Sequence, residues 1–335
     1  MPRVALVQFA PLNPDESPRD GRDPHEVNLA TALDYVRQAK AQGAELVCFP
    51  EYFLSGVVAD RQHWNLAQYP HTHAHLHDDH PEIRSSSSAR TQHWLSAFRD
   101  VARELKVDIA VGTIVERQVD ARGDEVKQMV NGEERNVLNN VAHYIDWNGE
   151  VIGRYVKRNL WWPEKDYLTA GEEDHQVFET RFGRAAFLIC WDLAHGEAFL
   201  PLLRQKVDFV IAPTYWTNSD GGDESKKWDD DSERKWLDSL VVSRAFENEA
   251  GIVFINVGSP KGTDPKDKST NPEERIGCSQ VCLPFKGRIG GTASPEEEMV
   301  VVDMDLSVLA DARSVYGMRR GLAERMKKRG ESIDA

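Results

Sequence analysis

Apolar runs of strand length alternate, along most of the chain, with segments whose apolar positions recur at helical spacing. Residues 4–10 form the first run, short and bounded as a buried strand requires. Residues 26–42 place Leu29, Leu33 and Val36 on one helical face, and Gly43 stops the segment. Residues 46–49 predict a second strand, 88–106 a helix and 107–115 a third strand. Two runs, 140–146 and 151–157, flank Asn148-Gly149, a dipeptide that supplies the positive φ angles of a tight hairpin. Residues 176–180 and 185–190 make a second pair around Phe182-Gly183. Helix 196–206, strand 208–214, helix 232–249 and strand 252–257 continue the alternation, and strands near 278–285 and 298–305 close the sheet. Mixed strands with interspersed helices predict an α/β layered fold. With no internal repeat and no linker, the reading is one domain over residues 1–335.

Two stretches break this regularity. Residues 57–87 are mostly polar and contain His71, His73, His75, His77 and His80. Residues 217–233 hold seven acidic residues against two lysines. Loops of this length are usually functional or disordered. Imidazoles are good metal ligands, but alternation within a loop fixes no coordination geometry and no cysteine joins this cluster. Both stretches read as solvated surface, and no metal is expected.

Charge and cysteine content narrow the setting. The 335 residues carry a formal charge of −14, which disfavours nucleic acid or an anionic membrane as partner. No run approaches the ~20 apolar residues of a membrane span, and residues 1–25 lack the pattern of a secretory signal. Four cysteines in such a chain make no disulfide framework. A reducing, cytoplasmic setting is the simplest expectation, and it keeps Cys190 a thiol.

The candidate chemistry lies at strand ends, where α/β folds place their sites. Cys190 closes the run Ala185-Ala186-Phe187-Leu188-Ile189 and is followed at once by Trp191-Asp192. Glu51 ends the run 45–51, and Lys157 ends 151–157. Taken singly, each has a structural explanation: a core cysteine, a helix-start carboxylate, a snorkelling amine. Cys48, Cys278 and Cys282 read as core. Together, thiol, carboxylate and amine suggest one reaction centre. A free thiol titrates near ~8.5, so it needs a base at neutral pH, and Glu51 is the candidate. Lys157 would hold the charge developing as sulfur attacks a carbonyl or nitrile carbon, and the Trp191 backbone N–H could donate a second hydrogen bond. A helix beginning near Leu193 would favour the thiolate through its dipole.

Four segments carry a resemblance over about residues 3–306: Phe49-Pro50-Glu51 with Leu54-Ser55-Gly56; Gly153-Arg154-Tyr155-Val156-Lys157; Leu188-Ile189-Cys190-Trp191-Asp192; and Ser243-Arg244-Ala245-Phe246-Glu247-Asn248. In this order they resemble the nitrilase superfamily of carbon–nitrogen hydrolases. The resemblance implies an αββα sandwich that pairs into a homodimer or larger homo-oligomer, with residues 307–335 as a C-terminal extension. It implies a Glu-Lys-Cys triad in which Glu51 is the general base, Lys157 stabilises the oxyanion and Cys190 is the nucleophile. Glu164, in Trp161-Trp162-Pro163-Glu164, matches a further glutamate that would orient Lys157 and the attacking water. Arg244 and Asn248 would share one face of helix 232–249 and brace the site. No organic cofactor or metal is implied.

Substrate choice is read from the neighbours of these residues. Tyr52, Trp161, Trp162, Trp191, Tyr215 and Trp216 lie beside the site strands and predict an aromatic-walled pocket for a small molecule. Many relatives carry arginine and proline where this chain has Ala194 and Gly196, which disfavours branches that bind a substrate carboxylate through that arginine. Trp191-Asp192 is similar to carbamoyl-amine amidases, whereas nitrile-cleaving members more often have Glu after the Trp. The expectation is hydrolysis of a small amide or N-carbamoyl amine through a Cys190 thioester. Nitrile hydrolysis is the alternative, and a catalytically silent scaffold or an acyl transferase are further ones.

Overall fold

Alternate residues of the first strand serve two different cores. In a computed structural model of the chain, β1 (Arg3–Gln8) turns Val4 and Leu6 towards a second sheet and Ala5 and Val7 towards covering helices. That period-two split, with every one of these side chains buried, is what a strand covered on both faces requires. The structure describes all residues except 17, 19, 20, 74–93, 131, 264–270, 272 and 331–335.

The first sheet has the order β14-β1-β2-β3-β6-β7. Its members are β2 (Leu46–Cys48), β3 (Asp108–Arg117), β6 (Leu138–Ile145), β7 (Val151–Val156) and β14 (Glu298–Asp303). β1, β2 and β3 run parallel, whereas β6 is antiparallel to both β3 and β7. The C-terminal ends of β2 and β7 therefore emerge at the same edge. Helices α1 (Pro24–Ala41) and α2 (Trp94–Leu105) cover the outer face, packing Ala32, Val36, Leu95 and Phe98 against Val47, Phe49, Ile109 and Val111.

The second sheet has the order β13-β12-β11-β10-β9-β8. It comprises β8 (Val177–Thr180), β9 (Gly183–Phe187), β10 (Phe209–Thr214), β11 (Gly251–Asn256), β12 (Gln280–Leu283) and β13 (Gly287–Gly291). Here β9, β10 and β11 are the parallel strands. Helix α5 (Ser232–Asn248) buries Leu237, Val241 and Ala245 on its outer face. Between β9 and α5 lie two short helices, α3 (Leu200–Arg204) and α4 (Gly222–Lys226). The layers are thus helix, sheet, sheet, helix, the αββα sandwich that the four motifs imply.

Several elements differ from the sequence expectation. The final strand does not close the second sheet; β14 returns to pair antiparallel with β1 in the first. A small hairpin of β4 (Lys127–Val130) and β5 (Glu133–Asn136) stands apart from both sheets, half-exposed and polar, so it carries no hydrophobic signal. The C-terminal extension folds into α6 (Val308–Tyr316) and α7 (Met318–Lys328). Arg313 and Arg319 dock these helices by donating to the Val207 carbonyl at 3.1 and 2.7 Å. His75, His77 and His80, and the start of the expected helix 88–106, lie outside the described residues. Among the described residues no helix is long and apolar enough to cross a membrane.

Candidate active site

Each chemical group is set by the way its strand ends. After β2 the chain turns sharply at Tyr52, whose φ is +54°, and the Tyr52 N–H donates to Thr113 Oγ1 at 3.1 Å. The turn fits because Gly112 lies beneath it: a Cβ there would stand 1.9 Å from the Pro50 carbonyl oxygen. Glu51 is thereby aimed between the sheets, where its backbone N–H reaches Thr214 O of β10 at 3.4 Å. Lys157 follows β7, its N–H still paired with Asn140 O of β6 at 2.9 Å.

The nucleophile candidate has the most constrained backbone. Leu188 extends β9 by donating to Ile211 O, and the chain then enters a 3₁₀ turn over Cys190–Ala194. Cys190 has φ +46°, a left-handed conformation that costs a non-glycine residue about 1–2 kcal/mol. Asp192 holds the turn in place. Wholly buried, it accepts hydrogen bonds from Ile189 N at 2.9 Å, Tyr155 Oη at 2.9 Å, and Asn159 N and Nδ2, both at 2.8 Å. From the outer helix, Arg244 donates to Leu193 O at 2.9 Å and Ala194 O at 3.2 Å. Asn248 stays on its own helix, donating to Arg244 O, so of the two expected braces only Arg244 reaches the turn.

The charges converge on one ammonium. Lys157 Nζ stands 2.9 Å from Glu51 Oε1 and 2.7 Å from Glu164 Oε2, with all three side chains buried. Glu164 also accepts from Tyr52 Oη and, at 2.8 Å, from Trp161 N. Glu51 accepts from Asn140 Nδ2 at 2.7 Å and, on its other oxygen, from Tyr215 N at 2.8 Å. Two of the three Nζ protons are thus engaged, which leaves one donor. Burial opposes the Lys157 charge, but Glu164 and Glu51 outweigh it and hold its pKa well above the ordinary value. For Glu51, burial pushes the pKa up, Lys157 pulls it back and Glu164 pushes it up again, a net rise.

Cys190 Sγ lies 4.0 Å from the Tyr215 carbonyl oxygen and faces the same cavity as Glu51. Burial, followed by the Glu51 charge, pushes its thiol well above the usual range, with Lys157 opposing. Both effects favour the neutral thiol over the thiolate. The helix expected at Leu193 is absent: two 3₁₀ turns, Cys190–Ala194 and Gly196–Phe199, precede the five-residue α3. Without a long aligned helix there is no macrodipole to stabilise a thiolate.

A cavity of about 360 Å³ opens onto these groups. Glu51, Lys157, Glu164 and Cys190 line it, together with the expected aromatics Tyr52, Trp191, Tyr215 and Trp216. Trp162 does not. It is 78% exposed, with the Lys165 ammonium over its ring, because the 3₁₀ turn Trp162–Asp166 swings its indole outward as Glu164 turns in. Its neighbour Trp161 takes the place on the wall.

Three participants escaped the sequence reading. Asn140 is one of three polar residues, with Asn139 and His143, in a wholly buried strand, a signal that was present and could have drawn attention. The Tyr215 N–H and Asp220 carried no signal, since both act through loop placement after β10. The acidic stretch read as solvated surface is only partly so: Asp220 lines the cavity, and buried Glu233 accepts from Trp216 Nε1 at 2.8 Å.

Comparison with known proteins agrees with this architecture. The carbon–nitrogen hydrolase family matches residues 3–314. The N-carbamoylputrescine amidase of Arabidopsis thaliana is 24% identical over 311 residues, covering 89% of this chain and 88% of that protein. A nitrilase of Pyrococcus abyssi is 24% identical over 317 residues, covering 93% of each. Nit3 of Saccharomyces cerevisiae, a solved member of the nitrilase superfamily, superposes with a TM-score of 0.67 at 20% identity over 94% of both chains. The profile spans nearly the whole chain and the fold agrees with it, so the chain belongs to the carbon–nitrogen hydrolase family, the nitrilase superfamily, and is a hydrolase of carbon–nitrogen bonds.

Proposed function

We propose that the protein hydrolyses small amides or N-carbamoyl amines through a thioester on Cys190. The observation that carries this reading is the left-handed Cys190 turn, which places a thiol in the same cavity as Glu51 and a Lys157 ammonium held by two carboxylates. The substrate carbonyl carbon meets the sulfur as the thiol proton passes to Glu51. The C=O π electrons move to oxygen, where the free Nζ donor of Lys157 and the Trp191 N–H, in the first turn of its 3₁₀ segment, receive the charge. Glu51 returns its proton to the nitrogen, the C–N bond breaks, and ammonia or an amine departs. Water, deprotonated by Glu51, then attacks the thioester, and the sulfur leaves with the proton restored to it. Splitting the reaction in this way replaces one difficult step by two lower ones. Glu164 works through Lys157, fixing its position without touching the reacting atoms.

The Asp192 that follows Trp191 favours amide and carbamoyl substrates over nitriles; overall similarity does not decide between them, since an N-carbamoylputrescine amidase and a nitrilase are both 24% identical over nearly full length. The test is ammonia release from a panel of amides, N-carbamoyl amines and nitriles, with Cys190→Ala alongside and intact mass used to trap the acyl-enzyme. Turnover of amides or carbamoyl amines, lost in Cys190→Ala with the fold retained, is expected. Exclusive turnover of nitriles, or an active Cys190→Ala, would sink the proposal.

A further inference from the structure

We propose that the cavity takes substrates whose end remote from the scissile bond carries a protonated amine, with the Asp220 carboxylate as its counter-ion. This deepens the reading of the site as amide- or carbamoyl-cleaving and rests on it.

The first argument is charge. Four carboxylates line the cavity: Glu51, Glu164, Asp220 and Glu273. Glu51 and Glu164 share the single Lys157 ammonium. Glu273 is neutralised by the Arg275 guanidinium and accepts from Tyr215 Oη at 2.6 Å. Among the described residues no lysine or arginine contacts Asp220, and the cation that acts on it, Lys157, does so at longer range. The Asp220 oxygens accept from Thr217 N at 3.0 Å and Thr217 Oγ1 at 2.6 Å, neither of them a cation. A carboxylate offers about four acceptor positions, so two remain for a guest. Burial pushes its pKa up to about 6, against the two Thr217 hydrogen bonds, and Glu233 adds to the rise. An ammonium in the cavity relieves this cost, and a carboxylate-bearing guest adds to it.

The second argument is the wall. Trp161, Trp191, Tyr215 and Trp216 present aromatic surface to the same cavity, and the Trp191 and Trp216 rings lie 5.4 Å apart. Aromatic faces attract an ammonium electrostatically as well as packing its methylene stem. The Trp216 indole N–H donates to the Glu233 carboxylate at 2.8 Å, which adds negative charge at the edge of that ring. A neutral apolar tail would satisfy the wall but leave Asp220 without a counter-charge, and an anionic tail would satisfy neither.

The test uses three primary amides of matched chain length ending in an ammonium, a methyl or a carboxylate. The ammonium-ended amide is expected to exceed the methyl-ended one in kcat/KM by about tenfold or more, equivalent to ~1.4 kcal/mol, with the carboxylate-ended amide poorest. Asp220→Asn is expected to collapse the ammonium-to-methyl ratio, and Asp220→Glu to keep its direction. An unchanged ratio in Asp220→Asn, or a preference for the carboxylate, overturns the proposal while leaving amide hydrolysis standing. If neither these amides nor the N-carbamoyl amines with the same three ends are turned over, the functional reading fails instead. The subsite is then read from the rate at which iodoacetamide alkylates Cys190. Selective protection by the ammonium-ended compound, lost in Asp220→Asn, supports it, and equal protection by all three compounds overturns it.

Discussion

Replacing Glu164 by glutamine removes one of the two negative charges that flank Lys157 and leaves the shape of the side chain. Its first consequence falls on Glu51. The two carboxylates contact the same Nζ at 2.9 and 2.7 Å. Their nearest oxygens therefore lie no more than about 5.6 Å apart, and at an effective dielectric constant near 20 two such charges repel by roughly 3 kcal/mol. That repulsion is one reason the Glu51 pKa is raised, after burial. In the proposed mechanism the deprotonated carboxylate is the active base, and removing the neighbouring charge eases its ionisation. The acid limb of kcat/KM then moves to lower pH, by roughly one to two pH units once relaxation has reduced the full Coulomb figure. This limb reports the coupled Glu51–Lys157–Cys190 set, so the shift, more than any assignment to one residue, is the observable. A second consequence is looser placement of Lys157, and misplacement on the ångström scale costs up to roughly 100-fold in kcat. The assay is ammonia release from one good substrate across about pH 4 to 9, for the wild type and Glu164→Gln. A limb that stays in place, or moves to higher pH, would refute the electrostatic account of Glu164.

Two further changes probe how the turns are held. Asp192→Asn places an amide NH₂ among four donors, leaving at least one buried N–H unpaired, so a loss of about 2 kcal/mol is expected in denaturant unfolding, with kcat falling more than KM changes; an unaltered midpoint and kcat would show the clamp to be idle. Gly112→Ala drives a methyl into the Pro50 carbonyl, 1.9 Å from the ideal Cβ position, and must shift the Glu51 turn, so a loss of about 1–3 kcal/mol and a larger fall in kcat than in substrate affinity are expected from unfolding and steady-state measurements.

The strands that carry chemistry were legible because each ends an apolar run in a charged or reactive residue, a pattern that core packing does not require. The hairpin at Asn148-Gly149 was legible from turn chemistry alone, and β6 and β7 pair across it as expected. The segment after Cys190 was misread as one helix over 196–206. It breaks into 3₁₀ turns because the Asp192 carboxylate captures the Ile189 N–H and tightens the chain, while Pro201 starts the α-helix only at Leu200. β13, with the sequence Gly-Arg-Ile-Gly-Gly, offered no apolar period at all. Trp161 and Trp162 could not be told apart by spacing, since which indole faces the cavity depends on the phase of a five-residue turn. Asp220 was hidden for a different reason: its place depends on where a loop of one sheet meets groups of the other.

That last point extends to the whole site. Glu51 and Lys157 end strands of the first sheet, whereas Cys190 and Tyr215 follow β9 and β10 of the second. Neither sheet holds the reaction centre alone. Besides the Tyr155 and Asn159 bonds to Asp192, two contacts on one residue join the halves: Glu51 N to Thr214 O at 3.4 Å and Tyr215 N to Glu51 Oε2 at 2.8 Å. The first uses the backbone of the base and the second its carboxylate, so the orientation of Glu51 is tied directly to the spacing of the sheets. That spacing is set by the interior layer in which Leu46 and Cys48 share a cluster with Phe187, Phe209 and Ile211. Close-packed interiors transmit strain because few voids exist to absorb it. The reach of Glu51 towards Cys190 is therefore a property of the inter-sheet core as much as of the residues that line the cavity.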